Sequence, residues 1–325
     1  MKRILCILDP LEKLNPLVDS TLHVLRLLET RGHKIWACDV PQVVFERQQI
    51  DVLAGRLTCL PGHRYRLGKP VRLPAASFDL IWIRKEPPFN ANYYYLTYLL
   101  EYAAKAVPVS NDPRGIRNAN EKLSSLFFSH WMPESMVSLD PGAIQDFRRR
   151  LKCDLVLKPL DQKGGKGIVL IKQKDPQGGA KIRRATQDGH QCIMAQRFLQ
   201  ATPAHGEKRI FLLNGKRFVS YGKKARKGEF RANLGFGSHY QRGKLSPREE
   251  KMIRELGPYL RREGILLAAL DVLEERLIEI NVTCPGGLPE AEELYPEIKP
   301  LTQLAQALEA LWEKPRRRLP PDQKP

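Results

Sequence analysis

The chain has 325 residues, 42% of them hydrophobic and 28% charged. That balance excludes an intrinsically disordered chain and leaves length for two or three domains with a substantial core. No apolar run approaches the roughly 20 residues of a membrane-spanning helix. Lys and Arg total 54 against 36 Asp and Glu, a net charge of +18. Such an excess favours polyanionic partners, yet the basic residues are spread along the whole chain and no nucleic-acid motif is present. Neither specific nucleic-acid nor membrane binding is therefore expected. Cysteines at positions 6, 38, 59, 153, 192 and 284 form no Cys-x-x-Cys pair. Several sit in apolar runs, as reduced thiols of a cytoplasmic protein do.

In chain order, "RILCIL" reads as a first strand; its apolar run ends at Asp9, too early for a signal-peptide core. Leu22, Leu25 and Leu28 carry helical spacing, with Gly32 as the stop, and "KIWACDV" follows as a second strand. "FDLIWIR" (78–84) and "VPVSN" (107–111) are further buried strands, so the pattern predicts a mainly parallel α/β sheet over roughly the first 110 residues. From Asn120 to about Trp312 the strands shorten and glycine turns and hairpins take over, an α+β pattern. The closing "EKPRRRLPPDQKP" (313–325) has the proline and charge content of a flexible basic tail.

Two segments carry chemistry. In "LVLKPLDQKGGKGIVLIK" (155–172), apolar β-type residues flank Lys163, Gly164, Gly165, Lys166 and Gly167, while Lys158 interrupts the first run. The spacing is neither a Walker loop nor a Rossmann fingerprint. A strand, glycine loop, strand hairpin can fold its tip over a ligand, its backbone amides and lysines forming an anion cradle. Taken alone, it reads equally as an exposed turn with lysines for solubility. In "LLAALDVLEERLIEINVTCPGG" (266–287), a turn centred on Glu275 places Asp271 opposite Glu279, with Asn281 on the same face and Ile278, Ile280 and Val282 on the other. Two carboxylates and an amide oxygen so close in apolar strands call for a cation, and hard oxygens suit Mg²⁺; the alternative is an amphipathic hairpin with its acids in water. Together, an anion cradle and a carboxylate face are what binding Mg·ATP demands.

At these residues the chain resembles the bacterial glutathione synthetases, ATP-grasp carboxylate-amine ligases. The ordered motifs are "ILDP", "DST" (19–21), "IRKEPPFN" (83–90), "RNANEKL" (117–123), "LKPLDQKGGKGI" (157–168), "MAQRFL" (194–199), "EKRIFLLNGK" (207–216), "FRANLG" (230–235) and "LDVLEERLIEINVT" (270–283). The resemblance implies a Rossmann-like domain over residues 1–119 and a two-lobed ATP-grasp domain over 120–312, its lid lobe at about 122–199 and its C-terminal lobe at about 200–312. It implies that Lys122 and Lys158 contact ATP phosphates, that Gly164, Gly165 and Gly167 form the closing loop, and that Gln196, Arg197, Phe198 and Leu199 are the hinge beside adenine. Glu207 stands where the family usually has an Asp near the ribose. Asp271, Glu279 and Asn281 would hold Mg²⁺, with Mn²⁺ as a substitute ion. Arg209 and Arg231 would steady the transferred phosphoryl group and the substrate carboxylate, while Arg84, Lys85, Asn233 and Glu290 would line the substrate side.

The implied activity joins γ-glutamylcysteine to glycine through an acyl phosphate, releasing ADP and phosphate. Departures fall near the substrates: Glu86 and Asn90 in "RKEPPFN", Gln162 and Lys163 in the lid, Phe236 and Ser238 after "RANL", and the loss of an expected arginine before Glu290. They keep open a related ligase with a different peptide or amine, and a polyanion-binding protein with a vestigial ATP site. Homo-oligomerisation is also left open.

Overall fold

A computed structural model describes residues 1–199, 207–224 and 239–312. Its elements, in order, are β1 Arg3–Leu8, α1 Ser20–Thr30, β2 Lys34–Cys38, β3 Val43–Glu46, β4 Gln49–Leu60, β5 Arg64–Leu67, β6 Val71–Pro74, β7 Leu80–Arg84, α2 Ala91–Ala103, β8 Val109–Ser110 and α3 Pro113–Asn118. There follow β9 Ser135–Ser138, α4 Pro141–Leu151, β10 Leu155–Pro159, β11 Val169–Ile171, α5 Gly178–Thr186 and β12 Ile193–Arg197. The remainder comprises β13 Glu207–Leu213, β14 Lys216–Lys224, β15 His239–Arg242, α6 Pro247–Arg262, β16 Leu267–Leu273, β17 Arg276–Asn281, α7 Leu288–Leu294 and α8 Pro300–Glu309. None of the described helices is long and apolar enough to cross a membrane.

The first sheet has a parallel centre, β2-β1-β7-β8. Ile4, Leu5, Cys6 and Ile7 are all fully buried, as a strand covered on both faces requires. On one face lies α1, started by the Asp19 side chain accepting from the Leu22 amide and burying Leu22, Val24, Leu25 and Leu28. The expectation of a mainly parallel sheet needs correction between residues 43 and 74. There β4 runs antiparallel to β2, β3, β5 and β6. Arg47 and Gln48, both at left-handed φ, close the β3–β4 hairpin. With only single 3-10 turns and no α-helix between β2 and β7, there is no crossover to make these strands parallel.

The second sheet, β11-β10-β12-β9, is wholly antiparallel. Ile144 and Phe147 of α4 and Ile182 of α5 pack against Leu155, Leu157, Ile171 and Ile193 on its back face. The third, β15-β14-β13-β16-β17, is also antiparallel. One face buries Met252, Ile253, Leu256 and Leu260 of α6 against Ile210, Leu212 and Leu270. The other receives Leu288, Ala291, Leu304 and Leu308 from α7 and α8. Both cores continue into the first sheet, so these two sheets form one frame. Asn111 fastens it: its amide donates to the carbonyls of Leu267 (2.9 Å) and Val282 (2.8 Å) and accepts from the Leu266 and Leu267 amides. Every hydrogen-bonding position of that buried side chain is used. The second sheet projects from this frame, and a cleft separates it from the third.

Candidate active site

Two hairpins face each other across the cleft. The first pairs β10 with β11, Leu155 opposite Ile171 and Leu157 opposite Val169. Its tip is set by backbone conformation: Gly164, Gly165 and Gly167 have φ of 63°, 76° and 71°, where a side chain costs energy. At Gly167 a Cβ would also come within 2.8 Å of the Pro159 ring. The loop is tied at its entrance. The Phe89 amide donates to the Asp161 carbonyl at 3.0 Å, Lys122 Nζ donates to the Gln162 carbonyl at 2.7 Å, and Lys163 pairs with Glu86.

The second hairpin is β16–β17, with Asp271 directly opposite Glu279 as the sequence predicts. The route to that register differs. The turn is a two-residue one at Glu274 and Glu275, both at positive φ, which pairs Leu273 with Arg276 and Val272 with Leu277. Ile278 is then left over as a bulge that restores the Asp271–Glu279 pair. One expectation is thereby overturned. Leu277, not Ile278, joins Ile280 and Val282 in the core, and Ile278 lines the cleft.

Residues of both hairpins line one continuous cleft. Lys158, Lys163, Lys166, Gly164 and Gly165 come from the glycine hairpin, and Glu207, Asp271 and Glu279 from the third sheet, while Lys122, whose neighbour Glu121 is hydrogen-bonded to β17, sits beside Glu279. Val156, Phe198, Leu199, Leu273 and Ile278 supply an apolar section suited to a flat ring. Gly167 is not at the surface of this cleft and instead turns the chain against Pro159.

Burial makes the charges consequential. Lys158 is 7% exposed, and its amine donates to Gln196 Oε1 at 2.6 Å. Desolvation lowers its pKa to about 8, against the opposing pull of Glu279. Gln196 is held in turn by Ser135 Oγ at 2.8 Å, so its side chain orients the lysine, a contact that reading it as a backbone hinge does not anticipate. Lys122 Nζ is 3.6 Å from Glu279 Oε2. Burial opposes ionisation of Asp271, but Arg209 and Lys223 outweigh it and hold the carboxyl well below the usual range. Arg209 grips Asp271 in a fork, Nε to Oδ1 at 3.0 Å and Nη2 to Oδ2 at 2.8 Å. Lys223 Nζ lies 3.0 Å from Asp271 Oδ1 and 2.5 Å from Glu207 Oε1. Asn281 donates its amide to Asp271 Oδ2 and to the Ala269 carbonyl, both at 3.2 Å, so its oxygen is turned away from Asp271.

The other predicted residues are distributed as follows. Arg84 is buried, bonded to Thr21 Oγ1 and the Pro285 carbonyl, at the junction of the first sheet with the segment after β17. Lys85 pairs with Asp9 at 2.6 Å. Neither lines the cleft above. Arg209 also donates to the Gly286 carbonyl at 2.9 Å. Beside that segment, the buried Tyr221 Oη and Glu290 Oε2 have no hydrogen-bond partner among the described residues, and burial pushes the Glu290 carboxyl up. Arg231 and Asn233, like the 313–325 tail, lie outside the described residues. Lys223 belongs to the site and is not among the predicted residues. Its signal is period-two phase: Val219, Tyr221 and Lys223 are all buried on β14.

Comparison with known proteins agrees with this layout. The family model of the prokaryotic glutathione synthetase N-terminal domain matches residues 2–117, and that of its ATP-grasp domain matches residues 121–296. The chain belongs to the prokaryotic glutathione synthetase family. It is 36% identical over 296 residues to the glutathione synthetase of Parasynechococcus marenigrum (strain WH8102), spanning 91% of this chain and 95% of that one. With the glutathione synthetase of Nitrosomonas europaea it shares 38% identity over 292 residues, 87% and 90% of the two chains. Among solved structures it resembles the D-cycloserine synthetase DcsG, with a TM-score of 0.65 at 15% identity over 94% of this chain and 99% of the other. The ATP-grasp ligase PsnB complexed with minimal precursor, Mg and ADP gives 0.59 at 15%, over 96% and 98%. At such identities these structures speak for the fold, which is the mixed α/β ATP-grasp architecture. Family membership makes the protein an ATP-dependent ligase that forms a C–N bond.

Proposed function

We propose that this ligase is a glutathione synthetase, joining the cysteinyl carboxylate of γ-glutamylcysteine to the amine of glycine. The observation that carries the reading is the opposition of a glycine-lysine hairpin to the Asp271–Glu279 pair across one cleft. A carboxylate is a poor electrophile. Its oxygen attacks the γ-phosphorus of ATP, ADP departs, and the resulting acyl phosphate is attacked by the amine with loss of phosphate and a proton. In this proposal Lys122 and Lys158 neutralise phosphate charge, Gln196 to Leu199 and Ile278 receive the adenine, and Glu207 meets the ribose. Arg209 and Arg231 steady the phosphoryl group and the acid. Arg84, Lys85, Asn233 and Glu290 are assigned to the peptide and amine. The hairpin tip at Gly164–Gly167 keeps water from the acyl phosphate.

For the metal, Asp271 and Glu279 offer hard oxygens in the same cleft. Among the described residues no group of three or more Asp, Glu, His or Cys side chains forms a ready cage. That fits Mg²⁺, which keeps waters and shares phosphate oxygens rather than using an all-protein site. Asp271, Glu279 and Asn281 would hold it, and it would supply charge neutralisation at the transferring phosphate. We further assign residues 1–119 to a Rossmann-like domain and 120–312 to the ATP-grasp domain, with cytoplasmic small-molecule substrates.

The test is incubation with Mg·ATP, γ-glutamylcysteine and a panel of amino acids, following ADP and product mass. Glutathione formed with glycine and not with other amines is expected. ADP released with a different amine would make it a sister ligase, and no turnover with any pair would leave a polyanion-binding protein.

A further inference from the structure

Lys223 is the most completely enclosed ammonium in the site, its side chain 1% exposed. It does not line the cleft. It sits behind the wall, between Glu207 and Asp271. A carboxylate has about four acceptor positions, and those of Asp271 are all taken. Arg209 Nε and Lys223 Nζ occupy Oδ1; Arg209 Nη2 and Asn281 Nδ2 occupy Oδ2. The four ionised groups, two basic and two acidic, form a neutral, closed set. A divalent ion reaching Asp271 would meet two cations in contact with it and no open lone pair.

We propose that Lys223 is a built-in competitor for the divalent cation, a positioning residue that holds Asp271 closed until a metal-nucleotide complex displaces it. Only its bond to Asp271 need break, because Glu207 retains the ammonium at 2.5 Å. Moving the amine wholly onto Glu207 opens Oδ1 while keeping both charges paired. The protein thereby disfavours the bare ion and accepts it with the nucleotide, whose phosphates bring the compensating negative charge. This inference rests on the assignment of Asp271 as a metal ligand made above.

The experiment is Mn²⁺ binding, read by the electron paramagnetic resonance of the free ion, with a non-hydrolysable ATP analogue at saturation. Lys223→Met should bind Mn²⁺ roughly tenfold more tightly than the native protein, since a unit charge a few ångströms from the ion has gone. Lys223→Arg, which keeps the charge, should bind Mn²⁺ less tightly than Lys223→Met. A merely structural lysine would give weaker binding in the Met variant; that result, or unchanged affinity, overturns the proposal. Should Lys223→Met not fold, Lys223→Gln removes the charge while keeping hydrogen-bond donors for Asp271 and Glu207. It carries the same expectation and the same refutation. If the native protein binds no Mn²⁺ even with the analogue, the assignment of Asp271 fails, and this inference with it.

Discussion

Asp271→Asn is expected to cost both stability and turnover, whereas Glu279→Gln costs turnover alone. Asp271 is 4% exposed and is the shared anion of Arg209 and Lys223. Removing its charge takes from Arg209 its carboxylate fork and leaves Lys223 with Glu207 alone of its two ion-pair partners among the described residues. Breaking a buried pair by deleting one partner destabilises by about 3–5 kcal/mol, and the urea midpoint should fall accordingly. The Glu279 side chain is 25% exposed and stands 3.6 Å from Lys122, beyond direct hydrogen bonding, so its amide variant should stay much closer to native stability than Asp271→Asn. Turnover should drop roughly 10²–10³-fold or more in both, by loss of charge stabilisation at the transferring phosphate. An Asp271→Asn variant as stable as native would mean that the Arg209–Asp271–Lys223 cluster is not what organises this wall. An unchanged rate in Glu279→Gln would remove that residue from the metal assignment.

Lys158→Met should separate activity from stability in the opposite direction. The lysine is buried against Gln196 with a pKa of about 8, below its ordinary 10.5. Because the folded value is the lower one, the cost of burying the charged amine is fully present below about pH 8. It is relieved as pH rises from about 8 towards 10.5, where the unfolded chain holds the extra proton. That cost is about 3 kcal/mol, so the Met variant should be more stable than native at pH 7, and the gap should close at high pH. Turnover should fall roughly 10²–10³-fold with the loss of a phosphate-facing cation. In the native enzyme kcat/KM for ATP should decline as pH passes about 8, when free enzyme loses the Lys158 proton, and that limb should be absent from the variant. A native profile flat to pH 10 would contradict the assignment.

Much of this was legible in one dimension, where the signal is local. The apolar run of β1 and the Leu22, Leu25, Leu28 stripe of α1 needed only strand and helix periodicity. The glycine tip was legible as a turn between two apolar strands; its ligand-facing role became legible only together with the carboxylate hairpin. The antiparallel strands at 43–74 were not, since their partly exposed edge pattern, with charged residues interleaved, lacks the uninterrupted apolar signature of a core strand. Asp271 and Glu279 came into register by two offsetting departures, a shorter turn and the Ile278 bulge, and only coordinates separate these. The Lys158–Gln196 and Lys223–Asp271 contacts span 38 and 48 residues. Nothing local links such partners, although the in-phase burial of Val219, Tyr221 and Lys223 marks Lys223 as pointing inward.

The most direct test of the account is a crystal structure of the protein with Mg²⁺ and a non-hydrolysable ATP analogue. The β- and γ-phosphates should lie under the amides of residues 164–167, within reach of Lys122 and Lys158, with the ion between them and Asp271–Glu279. A nucleotide bound elsewhere, or a glycine hairpin swung clear of the phosphates with Asp271 still closed on Arg209 and Lys223, would contradict it.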